Sequence, residues 1–152
     1  MENRKLHAWA LGFLIVAAVG FADATFLTVE HYAKLNAPCF ITSRCDIVLT
    51  STYATVAGVP VALGGALFYL AIMIGSLLAL DTKKEVWLKW TAMFSVVGLL
   101  ASIYLVIVQA FILHAYCIYC LGSAVTSTVL FILACFLWPK LRLGLAETKP
   151  VI

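Results

Sequence analysis

From Trp90 to Pro139 the chain carries no Asp, Glu, Lys or Arg. A bilayer core takes about 20 apolar residues of helix, so this interval holds two crossings of roughly 23 residues with a tight turn between them. The turn falls at His114-Ala115-Tyr116. Two further uncharged runs extend the pattern. Leu6–Ala22 starts a first crossing that fades at Glu30. Ile47–Leu80 is too long for one helix and divides into a short interfacial helix over Ile47–Thr55 and a second crossing. Thr50, Ser51 and Thr52 are turn and cap formers, and Gly58 and Pro60 open the second crossing, with Pro60 in its first turn. The composition agrees, at 64% hydrophobic and 11% charged, with a mean hydropathy of +1.08.

The expected fold is an all-α membrane protein, one domain over residues 1–152. Four transmembrane helices at about 7–29, 59–80, 88–113 and 116–138 form a bundle, with a long external loop carrying a short helix between the first two. Arg4 and Lys5 before the first run, and Ala22-Asp23-Ala24 after it, also suit a cleaved signal peptide. The run exceeds the usual signal core of about 7–15 residues, which favours a retained helix. A net charge of +3 gives no argument for nucleic acid. The lipid bilayer is the expected surrounding.

Charge placement orients the bundle. Four crossings put both termini and the 81–89 connection on one side, with Arg4, Lys5, Lys83, Lys84, Lys89, Lys140, Arg142 and Lys149. The other side has Lys34 and Arg44. The excess marks the first side as cytoplasmic, as in a bacterial inner membrane. That count uses no cysteine, yet it places Cys39, Cys45, Cys117 and Cys120 together on the external side, where disulfides persist.

Cys117-Ile118-Tyr119-Cys120 stands at the head of the fourth crossing. Cysteines three apart share a helical face, and the N-terminal turn stabilises a thiolate through its unpaired N–H groups and dipole. The pair closes too small a ring to be a useful structural staple, so it reads as a redox dithiol. Cys39 and Cys45, six apart in the first external loop, read equally as a structural disulfide or as a second exchanging pair. A zinc site fits poorly, because five residues separate the loop pair where two to four are usual; no metal is expected. A non-enzymatic four-helix structural or metal-binding protein is the bland alternative.

Cys135, deep in the fourth crossing, reads as a small packing residue. Asp23 is an ionisable group inside a helix, suited to receiving protons near the dithiol or to a hydrogen bond within the bundle. His114 could shuttle a proton, but reads more simply as an interfacial polar residue. Gly64, Gly65 and Gly98 suit close helix packing. Phe68, Tyr69 and Tyr104 read as core or lipid-facing aromatics, a subset of which could contact a flat ligand ring.

Together, Cys39, Cys45-Asp46-Ile47-Val48-Leu49, Ser51, Gly58-Val59-Pro60, Phe68-Tyr69 and Cys117-Ile118-Tyr119-Cys120 resemble the bacterial form of the vitamin K epoxide reductase family. Another four-helix disulfide-generating family has its CxxC in the first external loop, the reverse order. The resemblance implies a membrane thiol–disulfide oxidoreductase that passes electrons from a thioredoxin-fold partner to a quinone of menaquinone, ubiquinone or vitamin K type. It implies a shuttle pair, with Cys39 meeting the partner and Cys45 passing electrons to Cys117, while Cys120 faces the quinone. It also implies Ser51, Tyr53, Phe68 and Leu113 as pocket residues. The chain stops at Ile152 without the thioredoxin-like domain that many members carry, so the partner is expected to be a separate polypeptide. Vertebrate members have a tyrosine four residues after the second CxxC cysteine, where this chain has Ala124. They also have an asparagine in the second helix, where this chain has none, its asparagines being Asn3 and Asn36. Both departures weigh against epoxide reduction and leave quinone reduction open.

Overall fold

In a bilayer every backbone polar group must be satisfied within the protein, so each apolar run folds as a helix. The structure, a computed structural model, describes residues 3–33, 45–56 and 58–147. Helix α1 (Asn3–Ala33) leads to the short α2 (Cys45–Thr50) and a 3-10 turn (Thr52–Ala54). A two-residue hairpin follows, with β1 (Thr55–Val56) antiparallel to β2 (Val59–Pro60), and Gly58 takes the left-handed φ of 81° that its turn needs. Then come α3 (Val61–Thr82), α4 (Glu85–Ile107), a π-helical turn (Val108–Leu113) and α5 (Ile118–Glu147). Among the described residues, four helices are long and apolar enough to cross a membrane. The protein is an integral membrane helical bundle.

Three boundaries differ from those expected. Helices α1 and α5 outrun the apolar segments at 7–29 and 116–138, because charged residues end a membrane span without ending a hydrogen-bonded ladder. In α5 the ladder continues through Pro139 to Glu147. Proline removes one N–H there, the partner of the Cys135 carbonyl, and Lys140, Leu141 and Arg142 beyond it are good helix formers. Pro60 is not in the first turn of α3 but caps it, with ψ 133°, because it also ends the hairpin. Ser51 is the N-cap residue of the 3-10 turn, accepting the Ala54 N–H through its carbonyl at 3.0 Å, but its side chain makes no cap bond there. Its hydroxyl donates to the Val48 carbonyl at 2.8 Å and closes the end of α2.

Packing runs in a ring, α1 on α3, α3 on α4, α4 on α5 and α5 on α1. Leu6, Ala10, Phe13, Ala17, Gly20, Ala24 and Leu27 are the buried stripe of α1, spaced alternately four and three apart, the seam of a left-handed bundle. Leu11, Ile15 and Val19 point outward, as lipid-facing residues do. Aromatic rings are seated on glycine. A Cβ at Gly20 would collide with the ring of Tyr69, and one at Gly98 with the ring of Phe68. Gly65 faces Ala24, whereas Gly64 abuts nothing within 4 Å and lines a cavity instead of a helix contact. Tyr69 crosses the ring of helices. Its hydroxyl lies 2.7 Å from Thr126 Oγ1 and 2.9 Å from Ser123 Oγ, and donates to the Ser123 carbonyl at 2.8 Å.

At one end Lys140 Nζ sits 4.8 Å above the Trp9 ring, tying α5 to the start of α1. Cys135, expected as a small packing residue, is exposed on the outer face of α5, one position after buried Ala134.

Candidate functional site

The dithiol lies at the end of the bundle where α4 hands over to α5. The Leu121 N–H donates to the Cys117 carbonyl at 3.0 Å, the first helical bond of α5, which makes Cys117 the N-cap residue and Cys120 the third residue of the helix. An N-cap side chain accepts from the second and third N–H groups. The Cys117 sulfur receives them from Tyr119 and Cys120. The CxxC spacing therefore gives one half of a capping box with sulfur in place of oxygen, while the N–H of Cys117 is taken by Gln109.

Cys117 stands just outside the fourth crossing, and its thiol is lowered from the ordinary 9.0 to about 7. A hydrogen bond from the Cys120 thiol is the main cause, joined by the two helical N–H groups; burial and the charge of Asp23 oppose it. Asp23, on α1, thus lies close enough for its charge to act on both cysteines. Its Oδ2 is buried without a hydrogen bond.

Cys117 has no exposed surface. It packs with Val48 of α2 and with Ala115, and Leu49, Leu113, Ile118 and Tyr119 close around them. The helix that covers Cys117 begins at Cys45, three residues before Val48. Cys39 lies outside the described residues.

Beneath this lid a cavity of about 430 Å³ opens between the helices. Ser51, Tyr53, Phe68 and Leu113, the residues expected around a quinone, all line it, and so does Cys120. Cys117 and Asp23 are not on its wall. His114 is exposed, in the left-handed conformation at φ 46°, where it ends the π-helical turn.

Four polar features were not foreseen from sequence. Ser102 and Ser127 hydroxyls meet at 2.6 Å on the wall. The Tyr69–Ser123–Thr126 cluster meets it from α3 and α5. His31 lines it from the end of α1. Gln109 is buried and accepts the Cys117 backbone N–H at 2.9 Å through Oε1. A signal was available in the spacing. Ser102 and Gln109 are seven apart, two helical turns on one stripe, and Cys120, Ser123 and Ser127 are spaced three and four on another. Polar residues at core spacing in an otherwise apolar helix mark a cavity more reliably than a motif does.

The volume falls in the usual range for ligand sites, and the wall is mostly apolar with a few polar groups, as a flat, weakly polar ring requires. Among the described residues, no group of three His, Cys, Asp or Glu could hold a metal ion. The family model described as the vitamin K epoxide reductase family matches residues 11–135.

Proposed function

Because the chain belongs to the vitamin K epoxide reductase family, membrane redox enzymes of the quinone and disulfide type, we propose that it oxidises a thioredoxin-fold partner outside the membrane and passes the electrons to a membrane quinone through two cysteine pairs. One observation carries the assignment: of the two CxxC cysteines, one lines the cavity and the other does not. Cys120 faces the apolar cavity, while Cys117 is sealed under the helix that starts with Cys45.

In this reading the Cys45 thiolate attacks the Cys117 sulfur of a Cys117–Cys120 disulfide, and Cys120 leaves as a thiolate. Cys39 then attacks Cys45, a loop disulfide forms, and Cys117 leaves. A thiol of low pKa leaves fastest, which is what the Cys117 environment supplies. The loop disulfide takes two electrons from the partner dithiol, beginning at Cys39, and the partner becomes the disulfide.

The quinone, when bound, takes up two electrons and two protons as the Cys117–Cys120 disulfide re-forms. Ser51, Tyr53, Phe68 and Leu113 would hold its ring beside Cys120. Asp23 would hold a thiol proton in transit on its unpartnered oxygen. His114, exposed on the connection, serves as an interfacial polar residue. The same reading makes residues 1–152 one functional unit, with the basic side cytoplasmic and all four redox cysteines external.

The test is quinol formation in membranes on addition of a reduced thioredoxin-fold protein. Cys120→Ala should abolish quinol formation, and Cys39→Ala with Cys120 intact should accumulate the Cys45–Cys117 mixed disulfide, because Cys45 can still attack the Cys117–Cys120 disulfide but nothing then releases Cys117. Full quinone reduction by Cys120→Ala would overturn the assignment.

A further inference from the structure

Gln109 is the residue on which the connection between α4 and α5 converges. Its main-chain carbonyl accepts the N–H groups of His114 and Ala115, the latter at 3.2 Å, and its side-chain oxygen accepts the N–H of Cys117. The π-helical turn that begins at Val108 provides the wide ladder needed for one carbonyl to gather both donors. The Cys117 N–H is one of the donors a helix N-terminus leaves unpaired, so the glutamine satisfies a group that α5 cannot. Because a backbone N–H can only donate, the amide oxygen must point at Cys117, and the NH₂ half lies on the other arm of the same planar group. Gln109 is 2% exposed and lines the cavity, as Cys120 does from α5.

We propose that Gln109 is a positioning residue joining the two halves of the site: its oxygen fixes the backbone of Cys117, and its N–H donors offer a hydrogen bond to a carbonyl oxygen of the quinone in the cavity. The inference rests on the quinone reading above for its second half only. The amide is rigid and planar, so an occupant drawn to its nitrogen is held at a set distance from the dithiol that its oxygen anchors. A carbonyl-bearing ring is thereby preferred over an apolar ring of the same size.

The test uses the full-length protein with dithiothreitol as reductant and a short-chain ubiquinone as oxidant. Gln109→Met keeps the length of the side chain and removes both functions. It should raise KM for the quinone about five- to ten-fold, the usual effect of one lost hydrogen bond. It should also move upward the pH at which Cys117 ionises, read by thiolate absorbance at 240 nm on reduced protein. Gln109→Glu separates the roles. When protonated it still donates, and KM stays near wild type; when ionised it offers no donor, and KM rises at least ten-fold, so KM becomes pH-dependent. The ionisable groups nearby, Asp23, His31, Cys117 and Cys120, are the same in both proteins, so the ratio of variant to wild-type KM isolates position 109.

Normal quinone turnover with an unchanged KM ratio in both variants overturns the proposal and leaves the enzyme reading intact. Absent quinone turnover in the wild type overturns the enzyme reading, and the absorbance midpoint of Gln109→Met then decides the positioning of Cys117 by itself.

Discussion

Cys120→Ala should raise the ionisation midpoint of Cys117 from about 7 to 9 or above. The main cause that lowers this thiol is the hydrogen bond from the Cys120 thiol. With it gone, burial and the Asp23 charge still oppose ionisation, and the N–H groups of Tyr119 and Cys120 remain as the only counterweights. At pH 7.5 a midpoint of 7 leaves about three quarters of Cys117 as thiolate, whereas a midpoint of 9 leaves about 3%, roughly a 25-fold loss of the reactive form. The sign follows directly: the thiolate is populated above its midpoint and lost as pH falls through it, so the variant loses it over the whole physiological range. The assay is absorbance at 240 nm between pH 5 and 9.5 on reduced protein in which Cys39, Cys45 and Cys135 are Ala, with and without Cys120→Ala. A midpoint that stays near 7 in the variant would show that the Cys120 thiol is not what lowers Cys117, and would assign the lowered value to the helix N-terminus instead.

Gly98→Ala should drive the Phe68 ring towards the cavity, because the added Cβ collides with it, and raise KM for a short-chain quinone several-fold with a smaller change in kcat. Gly20→Ala meets Tyr69 in the same way and should cost about 1–3 kcal/mol of stability, seen as a lower melting temperature in detergent and partly restored by Tyr69→Leu. Tyr69→Phe should cost about 1–2 kcal/mol in the same melt, since Thr126 still donates to the Ser123 carbonyl and only the phenol's own bonds are lost. Cys135→Ala should leave both melting temperature and quinone turnover unchanged, because its side chain points away from the bundle.

What could be read in the sequence, and what could not, divides along one physical line. Uncharged length sets the number of crossings, so the four spans are legible, as are the turn at 114–116 and the dithiol at the start of the last helix. Facing is not legible in hydrophobicity, because lipid and core are both apolar and Ile15 on the outside looks like Phe13 on the inside. Hence the sequence places Cys135 along the fourth crossing as a packing residue without saying which way it faces, and the structure puts it outward. Residue size keeps part of the lost information: Ala10, Ala17, Gly20 and Ala24 trace the seam of α1 because helices approach closely only over small side chains. Polar residues keep the rest. Ser102 and Gln109 mark the cavity wall, but only their spacing on α4 says so, and the partner of Gln109 is a backbone N–H whose position depends on a π-helical turn that no sequence pattern announces.

The placement of the dithiol at a helix N-cap resolves a conflict built into this chemistry. In the proposed relay a thiol must ionise readily to exchange with another, yet the electrons would leave in an apolar cavity where ions are costly. A pair within one helical turn meets both needs. Cys117, at the cap, collects two N–H donors and a thiol donor that stabilise its charge beneath α2. Cys120, one turn further in, has its own N–H engaged with Cys117 and presents its sulfur to the cavity. One of the donors that makes Cys117 reactive is therefore the thiol of Cys120, and oxidation to the disulfide removes that donor and the charge together. A spacing of one or two would turn the second sulfur to another face of the helix and separate the capping role from the cavity wall.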